Sequence, residues 1–143
     1  MNLKTDFGKK MLVLCLGLFL VSCAARAPMV VGQKWLDSKE ETPEIDISGT
    51  WTSPEWGAAT FKQQGREITG VLGDYPAKGV VSGSGIYLLM YSSDKVDYFA
   101  ELKAMDKNTF QGFYSNYKPV DEIRQKDPKS LRPINLKRVS TSP

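Results

Sequence analysis

From Ile47 onward, apolar and polar positions alternate in short runs rich in Val, Ile, Tyr, Phe and Thr, punctuated by Gly, Asn and Asp. That texture is the signature of strands and turns. It predicts eight strands, at Ile47–Ser53, Ala58–Gln64, Glu67–Leu72, Lys78–Ser82, Ile86–Ser92, Val96–Met105, Thr109–Tyr114 and Ile134–Val139. Gln64-Gly65-Arg66, Ser82 to Gly85, Ser92 to Lys95 and Asp106-Lys107-Asn108 are tight polar turns, so successive strands pair as an antiparallel meander. Parity assigns the faces. Ile68, Gly70 and Leu72 share the apolar side of one strand; Val96, Tyr98, Ala100 and Leu102 share that of another, opposite Asp97, Glu101 and Lys103, with Phe99 the exception. One dry and one wet face per strand describes a sheet wrapped around its own core, and eight strands are enough to close a small barrel. The strand around Ile86–Ser92 is apolar on both faces: Ile86, Leu88 and Met90 alternate with Tyr87, Leu89 and Tyr91. Its second face therefore needs a cover from the preceding segment, the long loop or another protein.

A short repeat runs through this pattern. Ile47-Ser-Gly49-Thr-Trp51, Ile68-Thr-Gly70-Val-Leu72 and Phe110-Gln-Gly112-Phe-Tyr114 share apolar-x-Gly-x-apolar, and Val81-Ser-Gly83 is a partial fourth copy. Glycine weakens a strand interior unless backbone bends or approaches closely there, so the repeat reads as architecture. The meander breaks at Asn116–Pro133. There Pro119, followed by Asp121 and Glu122, predicts one or two helical turns ending before Pro128.

The N-terminal part reads differently. Lys4, Lys9 and Lys10 precede an uncharged apolar run from Met11 to Val21, too short for a membrane-spanning helix of about 20 residues and suited to a secretion signal. The run ends in Leu20-Val21-Ser22-Cys23, which resembles the lipobox of bacterial lipoproteins. The resemblance implies cleavage of residues 1–22 and acylation of Cys23. It places the mature protein on a membrane through that lipid anchor. Ala24 in place of Asp implies the periplasmic side of an outer membrane, or the cell membrane where an organism has only one. Residues 23–46 read as a lipidated end and coiled tether spanning roughly 25–30 Å on average, with Trp35-Leu36 an apolar interruption that docks on the domain or rests at the lipid surface; residues 47–143 form the domain.

Charge and chemistry narrow the function. Three of the 19 basic residues and one of the 16 acidic ones fall in the signal, leaving a nearly neutral mature chain with no case for nucleic-acid binding. Cys15 leaves with the signal and Cys23 is acylated, so the folded part has no disulfide and rests on its core alone. The chain has no His, the commonest general base and transition-metal ligand. No phosphate loop, nucleophile elbow or calcium loop appears. Asp97 and Glu101 read as a solvated face. No catalytic residue, metal ligand or cofactor is assigned, and the expectation is a monomeric non-enzyme.

The opening Ile47-Ser-Gly-Thr-Trp51, with Gly57-Ala-Ala-Thr-Phe61 and Ile68-Thr-Gly70, resembles avidin-type barrels and, more loosely, the lipocalin-like barrels of the calycin group. The resemblance implies an all-β, up-and-down barrel with a cavity at one end. It does not carry biotin binding: the positions two and six after the first Trp, polar contacts in avidins, are Ser53 and Gly57, and no Trp follows Trp56. Two functions stay open. One is a carrier of an apolar or amphipathic small ligand, lined by Trp51, Phe61 and Tyr98. The other is an envelope accessory protein that docks on an envelope partner through outer residues such as Tyr91 and Phe99.

Overall fold

A computed structural model describes residues 27–140. The expected signal, residues 1–22, and Cys23 lie outside the described residues. All eight expected strands are present: β2 (Gly49–Ser53), β3 (Gly57–Gln64), β4 (Glu67–Leu72), β5 (Tyr75–Ser82), β6 (Gly85–Ser92), β7 (Lys95–Asp106), β8 (Thr109–Asn116) and β9 (Arg132–Ser140). A two-residue strand, β1 (Ala27–Pro28), precedes them. Each of β2 to β9 pairs antiparallel with its neighbours in sequence, and β9 returns to β2 through Trp51↔Arg138 and Thr52↔Lys137, closing an eight-stranded up-and-down barrel. The turns divide it into two rims. An upper rim carries residues 54–56, 73–74, 93–94 and the 117–131 connection; a lower rim carries 65–66, 83–84, 107–108 and the entry to β2.

The barrel is narrow, and its glycines show how narrow. A Cβ on Gly112 would lie 1.8 Å from the Glu101 carbonyl oxygen of β7, and one on Gly70 would lie 2.0 Å from that of Thr60 on β3. Strands bent this tightly bring backbone against backbone, and only glycine leaves room. The repeat found along the chain is therefore a closure device.

Inside, Ile47, Trp51, Phe61, Ile68, Leu72, Ile86, Leu88, Met90, Leu102, Phe110, Ile134 and Leu136 form one buried cluster. Trp51 is its anchor. Its ring meets Phe110 edge-on at 5.0 Å, its Nε1 donates to the Ile47 carbonyl at 2.8 Å, and the Arg138 guanidinium stacks 4.3 Å away. Arg138 in turn donates to the carbonyls of Ser48 (2.6 Å) and Asp46 (2.8 Å), so a cation closes the lower rim while satisfying chain entering β2.

The structure corrects part of the coiled-tether reading: residues 27–37 are strand and helix, and of the two expectations for Trp35-Leu36 it shows docking on the domain. From Ala27 the chain is ordered by contacts of its own: β1 pairs with Lys95 and Val96 of β7, and α1 (Met29–Asp37) follows. The helix starts at the upper rim, where the Met29 amide donates to the Asp94 carbonyl, and descends the outside of the barrel to the lower one. There the Arg66 guanidinium of the β3–β4 turn donates to the carbonyls of Leu36 and Lys39. A second helix, α2 (Val120–Lys126), begins after Pro119 as expected, and a short 3₁₀ turn (Pro128–Ser130) leads into β9.

Candidate functional site

Three places on this fold carry candidate chemistry: the interior, the outer face under the helices, and the open hollows. In the interior, Trp51 and Phe61 are buried core residues and Tyr98 is half-buried at the upper rim. The three do not surround a shared space. Tyr98 packs with Trp56, Tyr75 and Tyr114 in an aromatic plug beneath the upper rim, with Trp56 centred 4.9 Å from Tyr98, 5.0 Å from Tyr114 and 5.8 Å from Tyr75. A hydrogen bond with Tyr75, then burial, pushes the Tyr98 phenol above the usual tyrosine range. The Trp56 Nε1 is buried with no hydrogen-bond partner. Beside the plug, Glu55 accepts from the Ser53 hydroxyl (3.0 Å) and from the Asn135 side-chain amide (2.8 Å) and backbone (3.1 Å). Burial pushes the Glu55 carboxyl up, but these hydrogen bonds outweigh it and hold it below the ordinary range. Ser53 is thus used within the turn.

The outer face of β5–β7 overturns one expectation outright. Phe99, expected as an exposed contact residue, is fully buried in a second apolar cluster with Val80, Leu89 and Val96 beneath Trp35, Leu36 and Val120. Its outward parity was right; its exposure was not, because the chain's own α1 and α2 cover it. Trp35 meets Phe99 edge-on at 5.3 Å and Tyr87 at 5.6 Å. Gly32 is the contact point of α1: a Cβ there would lie 2.8 Å from Leu89 Cδ1 and 2.9 Å from Val96 Cγ2. Tyr91, at the end of β6, is half-buried and stands outside both clusters.

A clasp holds this cover in place. Trp35 Nε1 donates to both carboxylate oxygens of Asp121 on α2, at 3.1 and 3.2 Å, and Lys39 Nζ donates to the same group at 3.0 Å. Lys39 also sits 5.4 Å from the Trp35 ring and 4.8 Å from that of Tyr87. Burial pushes the Asp121 carboxyl up, but the Lys39 and Trp35 hydrogen bonds and the Lys39 charge outweigh it, leaving it below the usual range. Burial and the carboxylates of Glu101, Asp121 and Glu41 push the Tyr87 phenol up.

The solvated face expected for Asp97 and Glu101 is also corrected. Met90 pairs with Tyr98 but Tyr91 pairs with Val96, so Asp97 is the extra residue of a β-bulge. The bulge turns Val96 outward into the second cluster and buries Asp97, which accepts from the Ser92 hydroxyl. Glu101 pairs instead with Arg124 of α2 at 3.0 Å. The two carboxylates thus have separate structural partners.

Among the more prominent hollows on the described residues, none is lined by Trp51 or Tyr98, while Phe61 lines one together with Thr60, Lys62, Thr69 and Gly70. One, of about 450 Å³, lies on the outside of β7–β9 between Met105, Phe113, Pro133 and Arg124, where Met105 and Phe113 are exposed. Another, of about 460 Å³, opens under the 117–131 connection and is lined by Lys118, Lys129 and Arg132. Sequence parity had no means of finding either, since both depend on how the long connection folds back. Among the described residues, no group of three His, Cys, Asp or Glu stands close enough to hold a metal ion. Comparison with protein families, with characterised proteins and with solved structures finds no match to this chain.

Proposed function

We propose that this chain is an envelope lipoprotein, anchored by an acylated Cys23, whose barrel serves as a non-enzymatic accessory module for a partner protein. The observation that carries the accessory reading is the filled interior. Trp51, Phe61, Phe110 and their neighbours occupy the space a carrier would leave for its cargo, and four aromatic rings plug the upper rim. An eight-stranded barrel holds at most its own side chains or one small ligand. The anchor rests on the signal-like N-terminus and the Leu20-Val21-Ser22-Cys23 box. With Phe99 covered, the outer patch of Met105, Phe113 and Pro133 is the contact surface in its place. Charged residues rim it and apolar atoms form its floor, the usual anatomy of a transient protein interface.

A second reading, the small-ligand carrier, draws support from one observation: the buried Trp56 Nε1 lacks an acceptor, and an orphaned buried donor is costly. Two measurements separate the readings. Labelled fatty acid should enter the wild-type chain and not Cys23→Ala; label retained by the variant overturns the anchor. Photo-crosslinkers at Met105 or Phe113 in intact cells should trap one protein reproducibly, while native mass spectrometry shows the barrel empty. A stoichiometric small molecule released on denaturation establishes the carrier instead.

A further inference from the structure

The acyl anchor, if it sits at Cys23, has almost no slack. Three residues, Ala24 to Arg26, lie between it and Ala27, and the four fully extended steps reach about 14 Å. Ala27 itself is fixed, because β1 pairs with Val96 where β8 has left the edge of β7. The upper rim at that corner is therefore held against the bilayer, and the residues found there suit a lipid surface. Val30 and Val31, in the first turn of α1, are 72% and 41% exposed, on the side of the helix away from the barrel. Next to β1, Tyr117 is 41% exposed, and its amide donates to the Asp97 carbonyl one residue from the β1 pairing. Aromatic residues with a polar tip favour the membrane interface. Under the same connection lies the hollow of about 460 Å³ lined by Lys118, Lys129 and Arg132, with Ser115 and Ser130 beside them and no acidic residue in its wall.

From these placements we infer that the upper rim seats on an anionic phospholipid surface. Val30 and Val31 enter the interface, and the basic hollow takes lipid phosphate. This rests on the lipid-anchor reading and adds an orientation to it: barrel axis toward the membrane, lower rim outward. The apolar contact and the charges act together, since lipid surfaces attract nearby Lys and Arg as well as exposed apolar side chains.

The test uses the full-length acylated protein in vesicles of phosphatidylethanolamine and phosphatidylglycerol. Spin labels are placed at Val30→Cys, Tyr117→Cys and, on the lower rim, Lys107→Cys. Intact mass first establishes the acyl chains on Cys23. The labels at 30 and 117 should be several-fold more protected from a water-soluble relaxing agent than the label at 107. That protection should fall in Lys118→Gln/Lys129→Gln/Arg132→Gln and in vesicles of phosphatidylcholine alone. Equal accessibility of all three labels in the acylated protein overturns the seating and leaves the anchor standing. An unmodified Cys23 overturns the anchor and the seating together. Protection at 30 that persists unchanged in the triple variant and in neutral vesicles overturns the phosphate-binding role of the hollow.

Discussion

Replacing Trp35 by alanine measures how firmly the outer helix belongs to the fold. The side chain is 6% exposed and touches Tyr87, Phe99 and Asp121. Truncating a buried Trp costs about 3–5 kcal/mol, of which the two edge-on ring contacts account for roughly 0.5–1.5 kcal/mol each. The polar share is smaller. Asp121 is 41% exposed, keeps Lys39 and gains water, so the lost indole N–H adds only about 1 kcal/mol. Against a domain stability of roughly 5–15 kcal/mol, such a loss is large. It also has a ceiling. Once the deficit exceeds what docks α1, the helix releases, the global loss stops growing, and Leu89, Val96 and Phe99 become wet. Two assays read this out: chemical unfolding gives the free energy, and an apolar dye in the native baseline reports the uncovered face. The expected result is a loss of about 3–5 kcal/mol, or a smaller loss with dye binding at zero denaturant. Trp35→Phe, which keeps an apolar ring, should lose roughly 1 kcal/mol. A change for Trp35→Ala below about 1 kcal/mol, with no dye bound and amide exchange of 29–37 unaltered, refutes the clasp.

Acid should act on the same contact. The folded-state pKa of Asp121 is depressed, so its stabilisation is complete above the unfolded value of about 4 and is lost as pH falls through the folded one; Asp121→Asn should flatten that part of an acid titration followed by Trp fluorescence. Trp51→Ala should cost about 3–5 kcal/mol in chemical denaturation, and near-wild-type stability would remove Trp51 as the core anchor. Gly112→Ala puts a methyl against the Glu101 carbonyl, which cannot swing away, so the unfolding midpoint should fall by the equivalent of about 1–3 kcal/mol; Gly65→Ala, where no atom lies within 4 Å, should cost less, its left-handed φ of 63° being the only obstacle.

The eight strands were legible because each carries its signal locally: alternation along the strand and a turn at its end. For β5 the pattern starts three residues late, at Lys78 instead of Tyr75. Gly73-Asp74 makes a two-residue turn, and Pro76 pairs opposite Val71 of β4 but lies beyond the β5–β6 pairing, which starts at Ala77↔Met90, a strand-end position where proline is tolerated. The register of β7 was legible only beyond Asp97, since a bulge inserts one residue without any change in composition. Helix α1 was illegible for a physical reason. Val30, Val31 and Gly32 are poor helix formers, and the helix is held by tertiary contacts that Gly32 alone permits. The two-sided apolar strand did announce a cover. Deciding that the cover was the chain itself required knowing that Leu89 and Phe99 share one sheet face with the path of 29–37, a relation between segments and not a property of either.

Closure of the barrel falls at the two ends of the domain's sequence, and this sets the timing of folding. β2 must wait for β9, some ninety positions later, before Trp51 finds Arg138. A chain emerging from N- to C-terminus thus spends most of its delivery as an open sheet, with β2 and the newest strand both showing unpaired edges that invite pairing with other chains. Local hairpins form early, but the seam is a long-range pairing and is slow for that reason. The last nine residues of the barrel therefore act as a latch: loss of a few residues from β9 should leave a sticky, half-rolled sheet instead of a slightly smaller barrel.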